Sequence, residues 1–165
     1  MPEGVKTKRT DPYKNYKFRV KQNNNTVMGV SKVSPLRRTT EVVTHREGGE
    51  NSTDHKSPGR TTYEGVTMER GVTQDKEFAN WANQVHPYDG DLLMDLENYK
   101  KELTLEVLNE RGDIVLRYFL HDCWVSEFTA VPDLDANSNA VAIETIKLEL
   151  EGWEKDPDLK VAEGL

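Results

Sequence analysis

His121 and Cys123 stand two apart in a run that reads as a strand, so both side chains are expected on one face. A thiolate beside an imidazole could act as a nucleophile with its base, and the same pair could supply two ligands to a metal. Neither chemistry is completed elsewhere in the chain. No second His/Cys pair occurs at ligand spacing, and His45, His55 and His86 are isolated in sequence. A small cysteine in a core strand accounts for Cys123 better. Asp133, Asp135 and Asn137 open like a calcium loop, but the sixth position is Ser138 where that loop requires glycine. The bidentate acid at the twelfth position would be Glu144, inside the next strand. There is no glycine-rich phosphate loop opening a helix, no G-x-S-x-G elbow and no zincin helix. The expectation is therefore no enzyme: no catalytic residues, no metal ligands and no cofactor.

The elements that would position any site must be built from a chain of 165 residues, a comfortable length for one domain. Hydrophobic residues make up 35% and charged residues 31%, which allows a core but a thin one. A sheet with one wet face, or a subunit that completes its burial in an assembly, fits such numbers. The net charge of -7 is unevenly placed: Lys6 to Lys21 is basic, and the stretch after Glu149 is acidic. Opposite ends of this kind are expected to be solvated tails; head-to-tail attraction between copies is the alternative. An acidic chain lacks the electrostatic footprint of a specific nucleic-acid binder. The single cysteine excludes an internal disulfide framework. The first residues lack the apolar core of a secretory signal, and no run approaches the roughly 20 apolar residues of a membrane span. Synthesis and folding in a reducing cytoplasm, with no direct membrane anchor, are expected.

Tyr16, Phe18 and Val20 alternate with bases, Asn23-Asn24-Asn25 turns, and a second mixed strand runs toward Pro35. The one convincing helix has Thr73 as its N-cap, Asp75 and Glu77 in its first turn, and Phe78, Trp81, Ala82 and Val85 in one stripe. His86-Pro87 stops it. Leu92-Leu93-Met94 is ambiguous. Leu103, Leu105 and Val107 alternate with Thr104 and Glu106, and a turn through Gly112 leads to a central strand, Ile114 to Leu120. A further strand covers Cys123 to Phe128. A last one runs from Ala140 to Trp153 and changes its apolar parity between Ile143 and Ile146, as a bulged strand or one serving two sheets would. The tail after Glu154 reads as loose. The sum is a mainly β fold: an antiparallel barrel or sandwich of about eight strands with one flanking helix. A single domain is expected over residues 1–165, with its core at about 13–154.

The rest is arranged around residues 39–71. Thr39 to His45 is β-branched and extended, Arg46 to Arg60 contains no aliphatic residue and no Phe, Tyr or Trp, and Thr61 to Arg70 reads as strand again. A long connection without structure of its own is either functional or disordered. Gly48-Gly49 and Pro58-Gly59 supply sharp turns at its two ends. Two readings stand here: an arm with defined elbows that touches something outside its own core, or a disordered surface loop.

The ordered set of segments resembles a known family. It comprises Gly29-Val30-Ser31-Lys32-Val33-Ser34, Arg37-Arg38-Thr39-Thr40-Glu41-Val42-Val43, His45-Arg46-Glu47-Gly48-Gly49 and Lys56-Ser57-Pro58-Gly59. Glu69-Arg70-Gly71-Val72-Thr73, Phe78-x-x-Trp81, Cys123-Trp124-Val125-Ser126-Glu127-Phe128 and Glu151-Gly152-Trp153-Glu154 follow. Together they are similar to the inner-tube proteins of contractile phage tails and bacterial contractile injection systems. The resemblance implies a small antiparallel β-barrel with a flanking helix, in hexameric rings stacked into a hollow tube. It further implies a surrounding sheath, baseplate and tail-terminating partners, and cargo or DNA passing along the bore without specific binding. The family's long loop reaches an adjacent ring. Here that self-assembly role would fall to Arg46, Glu47, Gly48, Gly49, Lys56, Pro58 and Gly59. A standalone ligand-binding β-sandwich is the alternative from a different class.

Overall fold

The computed structural model describes residues 17–23, 26–46, 48–49, 53–72, 76–86, 97–137 and 141–160. Among these residues the chain runs β1 (Phe18–Gln22), β2 (Thr26–Met28), β3 (Lys32–Val33), β4 (Arg38–His45), β5 (His55–Tyr63), β6 (Val66–Gly71) and α1 (Glu77–Val85). It continues through β7 (Lys101–Leu108), β8 (Ile114–Thr129), β9 (Ile143–Glu149) and β10 (Gly152–Lys155). Eight strands form one sheet in the order β2-β1-β7-β8-β9-β6-β3, with β10 also on β8, while β4 and β5 pair with each other as a separate two-stranded sheet. Every pairing is antiparallel. The mainly β architecture is as expected, sandwich-like with no closed barrel among the described residues.

The pivot is β8, sixteen residues long. Its first part runs between β7 and β10, and from Trp124 onward it pairs with β9. Asp122 sits at the change of partner with φ 51, in the left-handed region where Asp is tolerated, and its N–H donates to Glu102 Oε1 at 3.0 Å. The sequence predicts two strands here, Ile114 to Leu120 and Cys123 to Phe128, and predicts that Ala140 to Trp153 is either bulged or shared by two sheets. The structure joins the first two into β8, which serves two halves of the sheet, and the later segment serves both halves as well, through β9 in one and β10 in the other. That later segment is broken at Leu150-Glu151. Nor is the end of the chain loose directly after Glu154. Lys155 pairs with Tyr118, and the Asp156 N–H donates to the Arg117 carbonyl at 2.9 Å.

Val20, Leu103, Leu120 and Cys123 from one half of the sheet meet Val66, Met68, Ile146 and Leu148 from the other in a single buried cluster. Phe78 and Trp81 of α1 join it, both essentially inaccessible, while Ala82 and Val85 remain half-buried. The Trp81 indole N–H donates to the Tyr99 carbonyl at 2.8 Å, so the helix is tied to the start of β7 as well as laid on β8. Helix α1 starts at Glu77 with Lys76 in the cap position and no side-chain cap bond. The expected cap Thr73, and Asp75 with it, lie outside the described residues, as does Leu92-Leu93-Met94. The parity of the last long segment resolves plainly: Glu144, Ile146, Leu148 and Leu150 face inward, and Val141 and Ile143 face out.

Candidate assembly surface

Strands β4 and β5 make a ribbon that contributes nothing to the core: all of β4 is exposed, and in β5 only Ser57 and Tyr63 are partly covered. Its β-branched residues extend the backbone, and pairing runs from Arg38 opposite Tyr63 to His45 opposite His55. Thr40 and Thr61 hydroxyls meet across it at 2.8 Å, and Arg46 Nε donates to Asp54 Oδ1 at 2.8 Å near the tip. Gly49, at φ 121, supplies the turn. A two-stranded hairpin is marginal in water on its own, so its base must be held. Tyr63 packs edge-on against Trp153 at 5.7 Å, the Arg38 guanidinium lies 5.8 Å from the same ring, and the Glu64 N–H donates to the Arg37 carbonyl.

This corrects the reading of 46–60 as an excursion without structure. Gly48-Gly49 does turn, but Lys56, Pro58 and Gly59 are strand residues of β5, not an elbow. Pro58 lies opposite Val42, tolerated because a ribbon strand has a free edge that needs no N–H. Gly59 falls where the register shifts between Thr40 and Val42. A Cβ there would come within 3.0 Å of Val43 Cγ2 and 3.2 Å of Glu41 Cβ, so a larger residue would have to push the facing strand aside at the register shift. Glu47 lies outside the described residues. The expected strand Thr61 to Arg70 is split at Glu64-Gly65, where the ribbon ends and the body begins. His45 and His55, isolated in sequence, become cross-strand neighbours.

The expected His121–Cys123 pair is not formed. The backbone bend at Asp122 shifts the alternation, so Leu120 and Cys123 both face the core and His121 faces outward. Cys123 is fully inaccessible, and burial, with the nearby Glu102 and Asp122 carboxylates, pushes its thiol up to about 12. A thiol so placed supplies no nucleophile at neutral pH. At the other candidate loop, Asp135 Oδ1 accepts the Asn137 N–H at 2.9 Å, a local turn. Among the described residues no three His, Cys, Asp or Glu side chains converge to hold a metal ion.

The outer face of the β1-β7-β8 region carries a charge network that the alternation of β7 did not predict. Glu106, which alternates with Leu105 and Val107, is only 1% exposed. Its register neighbours Arg19 and Arg117 close over it, with Arg19 Nε at 2.7 Å, Arg117 Nη2 at 2.9 Å and Lys21 Nζ at 3.1 Å. Burial raises its pKa, but the bonds from Arg19, Lys21 and Arg117 outweigh that and hold the carboxyl below its ordinary range. Arg117 also reaches Asp156 at 3.0 Å. Acids of the C-terminal stretch are thus engaged within the chain: Asp156 with Arg117, Glu154 with His121, and Glu151 with Lys100.

His121 bridges two carboxylates, with Nδ1 2.7 Å from Glu102 and Nε2 3.1 Å from Glu154, clasping β7 to β10 across β8. The Glu102 bond, and then the Glu154 bond, raise its pKa above 6.5. A pKa raised in the folded state contributes stability that is fully present below the unfolded value, about 6.5, and lost as pH rises through the folded value. The thermal midpoint is expected to fall over that window in the native chain, with the fall attenuated in His121→Gln. Parallel melting curves of the two proteins across pH 6 to 9 check this.

A mainly β body with a projecting, exposed two-stranded ribbon defines the class. The sequence narrows it. Residues 14–154 match the family model for the T4-like virus tail tube protein gp19, and the chain belongs to that family of structural tube proteins. Solved structures share the fold. A chain in the anti-feeding prophage baseplate superposes with TM-score 0.74 at 24% identity, covering 89% of this chain and 97% of that one. One from the sheath-tube complex of the extracellular contractile injection system PVC, in its extended state, gives 0.72 at 22% identity, covering 88% and 91%. Hcp1 from Flavobacterium johnsoniae gives 0.55 at 12% identity, covering 84% and 93%. No curated protein matches the sequence.

Proposed function

We propose that this chain builds the hollow inner tube of a contractile tail or injection system, six copies to a ring and ring upon ring. The observation that carries the reading is the exposed ribbon β4-β5 on a body of the tail-tube family. A bare two-stranded ribbon is an aggregation hazard unless its edges and faces meet a partner. Arg46, Gly48, Gly49, Lys56, Pro58 and Gly59 lie along it or at its tip and make the contact to an adjacent ring. Glu47 belongs to the same stretch by sequence. A contact between two different surfaces repeats without closing, which gives a filament. Around this tube stands a contractile sheath, with a baseplate at one end and a terminator at the other. Cargo or DNA passes through the bore without specific binding. The chain is made in the bacterial cytoplasm, performs no catalysis and acts as part of the finished particle. No helix among the described residues is long and apolar enough to cross a membrane.

Negative-stain imaging of the purified native chain tests the reading, and rings or rods are expected. The runner-up, a standalone ligand-binding β-sandwich, would use the apolar groove of about 340 Å³ between Phe18, Leu36, Leu105, Tyr118 and Trp153. The family match weighs against it. Featureless single particles at high protein concentration would overturn the tube in its favour.

A further inference from the structure

Among the described residues, large apolar side chains are exposed in two places. One is the ribbon, where Val42 is 65% and Val43 38% exposed. The other is a rim at one end of the sheet, with Val72, Val141 and Ile143 where β6 ends and β9 begins, and Val131 and Leu134 on the segment that leaves β8 there; Leu134 is 80% and Val141 76% exposed. The pairings define that rim: Gly71 lies opposite Ile143, Thr129 opposite Thr145, and the Val72 N–H donates to the Ala142 carbonyl at 3.0 Å. It is where β6 and β8 end and β9 begins. The ribbon joins the body at the opposite end of β6, through Tyr63, Glu64 and Gly65. The six residues of β6 between them span about 20 Å at about 3.3 Å per residue. An apolar patch of this kind on a polar molecule marks an interaction site.

The two places are also matched in charge. In β5, Lys56 and Pro58 share a ribbon face with Val42 and Thr44, because Val42 is opposite Pro58 and Thr44 opposite Lys56. That face has an apolar centre, Val42 with Pro58, beside a base, and Arg60 follows in the bulge. The segment 130–142 has Leu134 between exposed Asp133 and Asp135, and contains no base.

We propose that the rim around Leu134 and Val141 is the seat for the ribbon of a second copy. Val42 and Pro58 lie on Leu134, Val141 and Ile143, while Lys56 and Arg60 lie beside Asp133 and Asp135. This rests on the tube reading and specifies where one copy receives the next. Donor and acceptor occupy opposite ends of the body, so each copy both gives and receives.

The test compares pelletable rods from the native chain and three sets of variants, with circular dichroism to verify folding; the substituted residues are exposed. Leu134→Asp with Val141→Asp is expected to cut rod yield about tenfold or more, as loss of one buried apolar contact would. Asp133→Lys with Asp135→Lys should also cut it. Combining that change with Lys56→Glu and Arg60→Glu should restore most of the yield by exchanging the two signs. Undiminished rods from the rim variants, or loss without rescue on charge exchange, overturn the seat while leaving the tube intact. Absence of rods from the native chain removes the tube reading itself, and the seat with it.

Discussion

Removing residues 43–57 and closing the Val42–Pro58 pair with an Asn-Gly turn is expected to abolish rods while leaving body stability within about 0.5 kcal/mol of the native chain. None of the fully buried apolar residues lies between Arg38 and Tyr63, so trimming there opens no cavity. The base is spared, since Tyr63, Arg38 and Trp153 keep their contacts. In the proposed tube every copy gives and receives one ribbon, so assembly would depend on it many times over. Contacts that act together in this way fail together. Sedimentation and imaging read the first effect, and a thermal melt reads the second. Rods of normal length from the trimmed chain would refute the ribbon's role; a collapsed melting temperature would refute its independence from the body.

Breaking the buried Arg70–Glu144 pair is expected to cost about 3–5 kcal/mol, a large share of the about 5–15 kcal/mol that holds a typical domain together. The two stand opposite each other on β6 and β9, on the core-facing side, with Arg70 2% and Glu144 7% exposed. Arg70 Nε donates to the Glu144 carboxylate, and the guanidinium lies 4.1 Å from the centre of the Phe78 ring. The pair therefore holds α1 against the sheet by charge as well as by packing. Arg70→Met strands a buried carboxylate, and Glu144→Leu takes away the carboxylate that Arg70 Nε meets. Both changes together remove the two charges at once and should cost less than the sum of the singles. Denaturant unfolding of the three variants reads the cycle. A single substitution costing under about 1 kcal/mol would show that the pair contributes little.

Segments with a strong period were legible from composition. The stripe Phe78, Trp81, Ala82, Val85 announced α1 because a 3.6-residue period needs only local sequence, and the alternations at Phe18–Val20 and Leu103–Val107 announced β1 and β7 in the same way. The stretch 46–60 was harder. A ribbon exposed on both faces has no apolar face to alternate with, so β5 left no periodic trace. What could have found it was the threonine- and valine-rich run of β4 followed, beyond a Gly-Gly turn, by Thr61-Thr62-Tyr63. Glu106 was missed for the opposite reason. Its alternation looked ordinary, and only the pairing of β1 and β8 on either side of β7 brings Arg19, Lys21 and Arg117 over it.

By itself the sequence determined the class of fold, the place of the helix, the stretch that departs from the core, and, through its ordered segments, the family. Those follow from local propensity and pattern, which act over a few residues. Tertiary structure decided that His121 and Cys123 part company, because one left-handed residue at Asp122 turns the strand between two partners. It also decided that the polar stretch is a ribbon, that Arg70 and Glu144 meet across 74 residues, and that the apolar rim lies at the far end of β6 from the ribbon's base. These are consequences of register between distant strands, and register is settled by which faces the whole sheet can bury at once.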